Sequence, residues 1–304
     1  MSISSGNRTE LDTILHEISQ PTQLANMQVR IELCQKALEL VRREQDPKLW
    51  AILHSLSGGL AAESTYGVRS DNLEQAIEHY KQALTVYARE AFPEDWAMTQ
   101  RNLANAYVHY SRGDLAENLE RAIEHYKQAL TVYTREAFTA EWAMIQGNLA
   151  TAYYNRIRGE RAENLEQAIH HCQQALTVRT REAFPQDWAT TQGNLANAYV
   201  DRIRGERAEN LERAIRHYEQ ALMVYTREAF TQDWARIQNN LASAYTHRIR
   251  GERAKNLERA IEHYKQALTV YTREAFPEQW ARVQSNLANG RRAWSGRFTT
   301  SSRR

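Results

Sequence analysis

The sequence predicts an all-α solenoid of antiparallel helix pairs, and three observations predict it. The stretch NLERAIEHYKQALTVYTREAFTAEWAMIQGNLATAYYNRIRGERAE opens at Asn118, and near-copies open at Asn72, Asn164, Asn210 and Asn256, each 46 residues from the next. Within each copy, apolar residues recur at helical spacing along one face. Each copy is also punctuated twice, once around Phe92 and its equivalents and once by a glycine-bearing loop. A fixed period of this size marks stacked units that bury their apolar faces on their neighbours, so a chain of 304 residues reads as one elongated array rather than two independent cores.

Composition narrows the function classes. With 39 basic and 37 acidic side chains the formal charge is +2, which provides no bulk basic field for nucleic acid. Most of the excess lies in residues 290–304, which carry Arg291, Arg292, Arg297, Arg303 and Arg304 and no acid. No apolar run is long enough for a secretory signal or a membrane span, so a cytoplasmic protein without membrane contact is expected. Cys34 and Cys172 are three copies apart, at places where other copies carry Tyr80, Tyr126, Tyr218 and Tyr264. They read as buried helix residues too distant to pair, as in a reducing compartment.

Residues 1–8 are polar and expected to be disordered, and 9–25 hold a short capping helix and a linker. The helix presents Leu11, Ile14, Leu15 and Ile18 on one face to cover the first repeat. The array then occupies 26–289, in units 26–71, 72–117, 118–163, 164–209, 210–255 and a partial 256–289. The first unit keeps register at Ile31, Cys34, Ala37, Leu38 and Trp50, but it has Ser57 for the later Leu103, and Gly58 and Gly59 each weaken a helix by about 1 kcal/mol relative to Ala. A looser or shifted second helix is expected there.

In each full unit the first helix starts from an asparagine N-cap such as Asn72 and buries Leu73, Ala76, Ile77, Tyr80, Ala83, Leu84 and Tyr87. A second start falls at Pro93, Thr139, Pro185, Thr231 and Pro277, where proline suits the first helical position and threonine the cap. The second helix runs from about Glu94 to Ser111 with Trp96, Leu103 and Tyr107 inward, and Gly159, Gly205 and Gly251 are the expected helix stops. Residues 290–304 form a basic tail unrelated to the repeat, and no polar capping helix is expected at that end.

The pairing of Leu103-Ala104-x-x-Tyr107 with Ala122-x-x-x-Tyr126-x-x-Ala129 resembles the tetratricopeptide repeat, through residues 96–276 and less cleanly before them. The unit is 46 residues rather than that family's 34, Trp96 lies seven residues before Leu103, and Thr134 takes the place of the closing proline. The longer unit is similar to kinesin light chain repeats, and more so to bacterial arrays that often precede a caspase-like protease domain of the CHAT type. The resemblance implies a right-handed superhelix with a concave groove for peptides. It also raises the expectation of a place in a signalling or defence assembly with a caspase-like effector.

Comparison of the copies points to the same surface. The first helix barely changes, whereas the second differs at five aligned places: Met98, Met144, Thr190, Arg236 and Arg282; Arg101, Gly147, Gly193, Asn239 and Ser285; Asn105, Thr151, Asn197, Ser243 and Asn289; Val108, Tyr154, Val200 and Thr246; and His109, Asn155, Asp201 and His247. At 100° per residue these form one stripe. Beside it stand the unvarying Asn102, Asn148, Asn194, Asn240 and Asn286. An amide both donates and accepts, so this row is expected to grip a peptide backbone or to bridge neighbouring helices. The resemblance assigns it the first role. A full carboxylate clamp is not evident, because Arg101 is basic in a single copy while Arg236 and Arg282 lie near the other end.

Other clusters carry less. The loop arginines, such as Arg156, Arg158 and Arg161, alternate with Glu160 and Glu163 and lack interleaved aromatics, so salt-bridged loops are favoured over nucleic-acid contacts. The histidines His79, His125, His171, His217 and His263 fall on different stacked helices about 10 Å apart, too far to share a metal. There is no phosphate loop, no paired-carboxylate site and no Cys–His dyad, so neither an enzyme nor a cofactor is expected. The sequence thus predicts a non-catalytic scaffold for a protein or an extended peptide.

Overall fold

The computed structural model describes residues 5–19 and 27–300. Over these the chain is helical throughout, with no strand among the described residues. A short helix α1 (Ser5–Ser19) precedes six pairs. Their first members are α2 (Met27–Leu40), α4 (Arg69–Leu84), α6 (Leu115–Leu130), α8 (Arg161–Leu176), α10 (Arg207–Leu222) and α12 (Arg253–Leu268). Their second members are α3 (Pro47–Glu63), α5 (Pro93–His109), α7 (Thr139–Asn155), α9 (Pro185–Asp201), α11 (Thr231–His247) and α13 (Pro277–Thr300). We call these the A and B helices.

The chain divides into two compact units, one reaching Asn148 and including Asn155–Arg158, the other formed by Leu149–Tyr154 and the chain from Gly159 onward. In the first, α1 to α6 each pack on the next; in the second, α8 to α13 do. The all-α repeat architecture is the expected one.

The ends depart from expectation. Leu11, Ile14 and Ile18 of α1 are buried with Met27, Cys34, Ala37, Leu53 and Leu60, as the apolar stripe predicts. The helix starts at Ser5 rather than Thr9, so residues 5–8 are helical. Residues 1–4 and the linker 20–26 lie outside the described residues. At the other end α13 continues through the basic tail to Thr300, with Gly290 buried near Ile261, and 301–304 lie outside the described residues.

The first B helix is not loosened by its glycines. Helix α3 has the same length as α5, 17 residues, starts with Asp46 Oδ1 accepting from Leu49 N at 2.9 Å, and runs unbroken through Gly58 and Gly59. A Cβ on Gly58 would stand 2.7 Å from Tyr80 Cε1, whereas one on Gly59 would meet nothing closer than Tyr80 Oη at 3.8 Å. Gly58 is therefore the clearance for a buried ring. Gly58→Ala is expected to destabilise by about 1–3 kcal/mol despite its better helix propensity, and Gly59→Ala to stabilise by about 0.5–1 kcal/mol. Urea denaturation of both variants checks the opposite signs.

Two connections repeat. The turn from A to B is closed by Tyr87 N on Ala83 O (2.9 Å) and Phe92 N on Ala88 O (2.9 Å), with Tyr87 edge-on to Phe92 at 5.7 Å. The B helix then starts at proline or threonine. Threonine is not the cap: Phe230 holds the cap position, and Thr231 Oγ1 donates back to Arg227 O at 2.8 Å. Trp96 is only half-buried, with the Arg89 guanidinium 5.9 Å over its ring.

In the loop from B to A, Asn72 is not an N-cap. Helix α4 begins at Arg69, with Val68 as its cap residue, so Asn72 lies within the first turns of the helix. Its amide reaches back to Tyr66 O at 2.7 Å, as Asn118 does to Arg112 O, Asn210 to Arg204 O and Asn256 to Arg250 O, each at 2.9 Å. Within these loops sit Gly67, Gly113, Gly159, Gly205 and Gly251, all with φ of 75–78°. They turn the middle of the loop rather than stop the helix, in a left-handed conformation that costs little only for glycine.

Candidate functional site

The B-helix stripe is built on a hydrogen-bonded framework. In the first unit, Asn105 Oδ1 accepts from Tyr126 Oη of the following A helix at 2.5 Å and from Asn148 Nδ2 of the following B helix at 2.9 Å. In the second, Asn197 Oδ1 accepts from Tyr218 Oη at 2.6 Å and from Asn240 Nδ2 at 3.1 Å. The intervening copy carries Cys172 for the tyrosine and Thr151 for the asparagine, and Asn194 Nδ2 reaches Thr151 Oγ1 at 3.4 Å. In this copy both partners are shortened, leaving a cavity of about 30 Å³ beside Cys172.

The asparagine row therefore bridges adjacent B helices in these copies, the second of the two roles its chemistry allows. Asn286 Nδ2 lies 3.5 Å from Asn239 Oδ1, and Asn102 Oδ1 accepts from Arg101 Nη2 at 3.1 Å. Asn239 is itself buried and donates to Asn240 Oδ1 at 3.1 Å. The divergent position that holds it also holds buried Gly147 and Gly193, and a Cβ on Gly193 would meet Ile237 Cδ1 at 2.9 Å. At Gly147, Gly193 and Asn239 that position answers to helix packing, whereas Arg101 is half-buried and Ser285 exposed.

The other divergent positions face outward. Met144 is 38% exposed, and Arg282, His109, Asn155, Asp201 and His247 are exposed, while Met98, Arg101, Asn105, Thr151, Tyr154, Asn197 and Arg236 are half-buried. In the first unit Arg101 lies across Met144 Sδ at 3.6 Å, and partial desolvation of the His109 ring by neighbouring atoms, followed by repulsion from Arg69, pushes its pKa down although the residue as a whole is exposed. In the second, Tyr154 Oη donates to Asp201 Oδ2 at 2.5 Å, and the Arg161 guanidinium stacks 4.9 Å over the Tyr154 ring. Burial and the hydrogen bond to Asp201 push the Tyr154 pKa up to about 12. Arg236 pairs with Asp233 of its own helix at 2.9 Å, and His247 Nδ1 bonds Ser243 O at 2.8 Å.

The same register step taken back from Met98 and Asn102 reaches Ile52 and Leu56 on α3. With Gly59, Leu60, Glu63, Asp95 and Met98 they line an open pocket of about 400 Å³ between α3 and α5. Sequence reasoning missed it because α3 was expected to be loose. The 46-residue register was the available signal.

The histidine ladder belongs to the packing between A and B helices. His125 Nδ1 meets Gln100 Oε1, His217 meets Gln192 and His263 meets Gln238, each at 2.6 Å, and the rings stack on Tyr107, Tyr199 and Tyr245. In the first unit His54 replaces the glutamine, and its Nδ1 lies 2.9 Å from His79 Nδ1. Burial lowers His54, His125 and His217 to about 4. Among the described residues no three His, Cys, Asp or Glu side chains are grouped to hold a metal ion. Burial raises Cys172 to about 12, which keeps it a thiol.

The loop arginines are engaged by the preceding A helix rather than by Glu160 of their own loop. Arg156 binds Glu120 through Nε at 2.8 Å, and Arg202 binds Glu166 and Arg248 binds Glu212 with the same geometry. Arg158, Arg204 and Arg250 reach Glu117, Glu163 and Glu209 at 2.8–3.2 Å. Charge is thus compensated copy by copy. No helix among the described residues is long and apolar enough to cross a membrane.

Comparison with known proteins agrees with this geometry. Residues 170–290 match the profile of the soluble NSF attachment protein, SNAP, and residues 60–85, 97–131 and 146–177 match the Sel1 repeat. No curated protein matches the sequence. Among solved structures, BtubC (BKLC) from P. vanneervenii is similar at 18% identity and a TM-score of 0.56, over 82% of this chain and 89% of that one. The assembly chaperone of RpL4, Acl4, is similar at 14% identity and a TM-score of 0.58, over 97% and 98%. A signal transduction ATPase with numerous domains from Pyrococcus horikoshii, which carries a tetratricopeptide repeat sensor, is similar at 12% identity and a TM-score of 0.58. This chain is covered over 97% in that match and spans 43% of the ATPase. At these identities the likeness is one of fold.

Proposed function

We propose that this tetratricopeptide-like repeat chain is a non-catalytic cytoplasmic scaffold that binds a protein or a peptide through the outward side chains of its B helices. One observation carries the reading: near-identical copies diverge at exposed stripe positions while the asparagine beside the stripe, Asn102, Asn148, Asn194, Asn240 and Asn286, stays fixed. Met144, Asp201, His247 and Arg282 vary from copy to copy and are exposed. The asparagines that donate to the preceding B helix, Asn148 and Asn240, belong to the row that does not vary. Recognition therefore rests on the variable side chains, and the asparagine row sets the spacing at which they are presented. Its remaining carbonyl and amide valences would supply contacts to a peptide backbone.

A photo-crosslinking amino acid at Met144 or Arg282 is expected to trap a discrete partner in extracts of the native cell, and the same group at Glu124 or Glu262 on the A helices is not. Trapping from the A helices alone would remove the assignment. A second reading makes the array the sensor arm of a larger signalling assembly with a caspase-like effector; its fold is similar to part of a signal transduction ATPase that carries a tetratricopeptide repeat sensor. It predicts that the trapped protein carries a nucleotide-hydrolysing or caspase-like domain. Nucleic-acid binding is disfavoured by the paired loop arginines.

A further inference from the structure

The pocket between α3 and α5 in the first unit differs from the rest of the stripe in ways that name a ligand. In the later copies the position of Leu56 is the bridging asparagine, that of Gly59 is Asn105, Thr151, Asn197 or Ser243, and that of Leu60 is alanine. The first copy replaces this polar bridge with aliphatic side chains and removes one side chain altogether. Ile52 is 43% exposed, and Leu56 and Met98 are half-buried beside it, so the face is apolar and open. Gly59 also leaves the hydroxyl of buried Tyr80 facing the space where Asn105 and Asn197 accept from Tyr126 and Tyr218.

The rim is acidic. Glu63 and Asp95 line the pocket, and neither forms an ion pair among the described residues, unlike Glu117 and Glu120, which hold loop arginines. Arg30, the one cation in the lining, is buried at 8% exposure, so the lining keeps a net negative charge with the carboxylates of Glu63 and Asp95 on its solvent side. At about 400 Å³ the space suits one or two large side chains.

We infer that this pocket is the anchor subsite of the recognition face, receiving a bulky aliphatic or aromatic side chain of a partner peptide whose flanking Lys or Arg pairs with Glu63 and Asp95. The inference rests on the reading of the B-helix stripe as a recognition surface and specifies the chemistry of its partner. Burial of the anchor supplies affinity, and the two carboxylates select basic over acidic flanks. A backbone carbonyl of the peptide would accept from Tyr80 in place of the missing asparagine.

The test uses the whole chain and fluorescent heptapeptides of the form Gly-Ser-Lys-Phe-Arg-Ser-Gly, with Phe replaced by Leu or Ser and the basic flanks replaced by Glu. Fluorescence anisotropy should show binding of the Phe and Leu peptides with basic flanks, and at least about tenfold weaker binding of the Ser-centred and Glu-flanked ones. The double substitution Leu56→Asn, Gly59→Asn, which restores the residues of the second copy, should abolish the difference. Because that variant changes a helix interior, the surface pair Glu63→Lys, Asp95→Lys provides a second arm and should invert the flank preference. Equal binding of basic and acidic peptides, no binding of any, or preferences unmoved by either pair would overturn the inference. Partner crosslinks from Met144 or Arg282 would survive those outcomes, so the scaffold reading stands or falls separately.

Discussion

Asn197→Ala should lower the stability of the second unit by about 1–3 kcal/mol, although Asn197 is a half-buried polar residue on a face otherwise open to solvent. Its carbonyl accepts from Tyr218 Oη at 2.6 Å and from Asn240 Nδ2 at 3.1 Å, so removing it strands a donor on a tyrosine that is 2% exposed. Removing donor and acceptor together costs less than the separate losses, because no buried group is then left without a partner. Tyr218→Phe combined with Asn197→Ala is therefore expected to be less damaging than the two changes summed, by about 1 kcal/mol in a double-mutant cycle. Additive losses would mean that the Tyr–Asn–Asn bridge does not hold the helices. The copy with Cys172 and Thr151 is the natural version of this experiment, with both partners shortened at once.

Acid should weaken the fold in a window set by the histidines. His54, His125 and His217 are held neutral in the native state at pKa values of about 4, chiefly by burial, and His79 and His263 are shifted in the same direction. Unfolded histidine titrates near 6.5. Between these limits the unfolded chain binds more protons than the folded one, so stability is level above about pH 7 and falls as pH drops from about 6.5 towards 4. Carboxylates held low by arginine, such as Glu120 with Arg156, act only at lower pH, where their ion pairs are protonated away. Thermal melts at intervals from pH 8 to 4 should show the midpoint falling within the histidine window. In a variant with His125→Gln and His217→Gln the slope should be shallower, and an unchanged slope would exclude the ladder as its cause.

The helix pairs were legible because burial in a repeat is a local, periodic property: Ala76, Ile77, Tyr80 and Ala83 recur at helical spacing, and all are buried. The variable positions come from aligning the copies, and of these Gly147, Gly193 and Asn239 are buried rather than outward. What escaped were bonds that join positions far apart in sequence. Asn72 looked like a cap because asparagine before an apolar run usually is one, and only the folded loop reveals the carbonyl of Tyr66 behind it. His125 and Gln100, 25 residues apart on different helices, gave no local sign of pairing. Gly58 and Gly59 suggested weakness because propensity is counted along the helix, whereas the ring of Tyr80 that needs Gly58 comes from the next helix. That reading also hid the pocket behind Ile52 and Leu56.

The separation of framework from recognition is tested most directly by titrating a crosslink-identified partner against two variants while measuring the denaturation midpoint of each. Exposed Arg282→Glu should weaken binding at least about tenfold with an unchanged midpoint. Glu124→Lys on an A helix should alter neither. Undiminished affinity in Arg282→Glu together with lost affinity in Glu124→Lys would place recognition on the A helices and contradict the account.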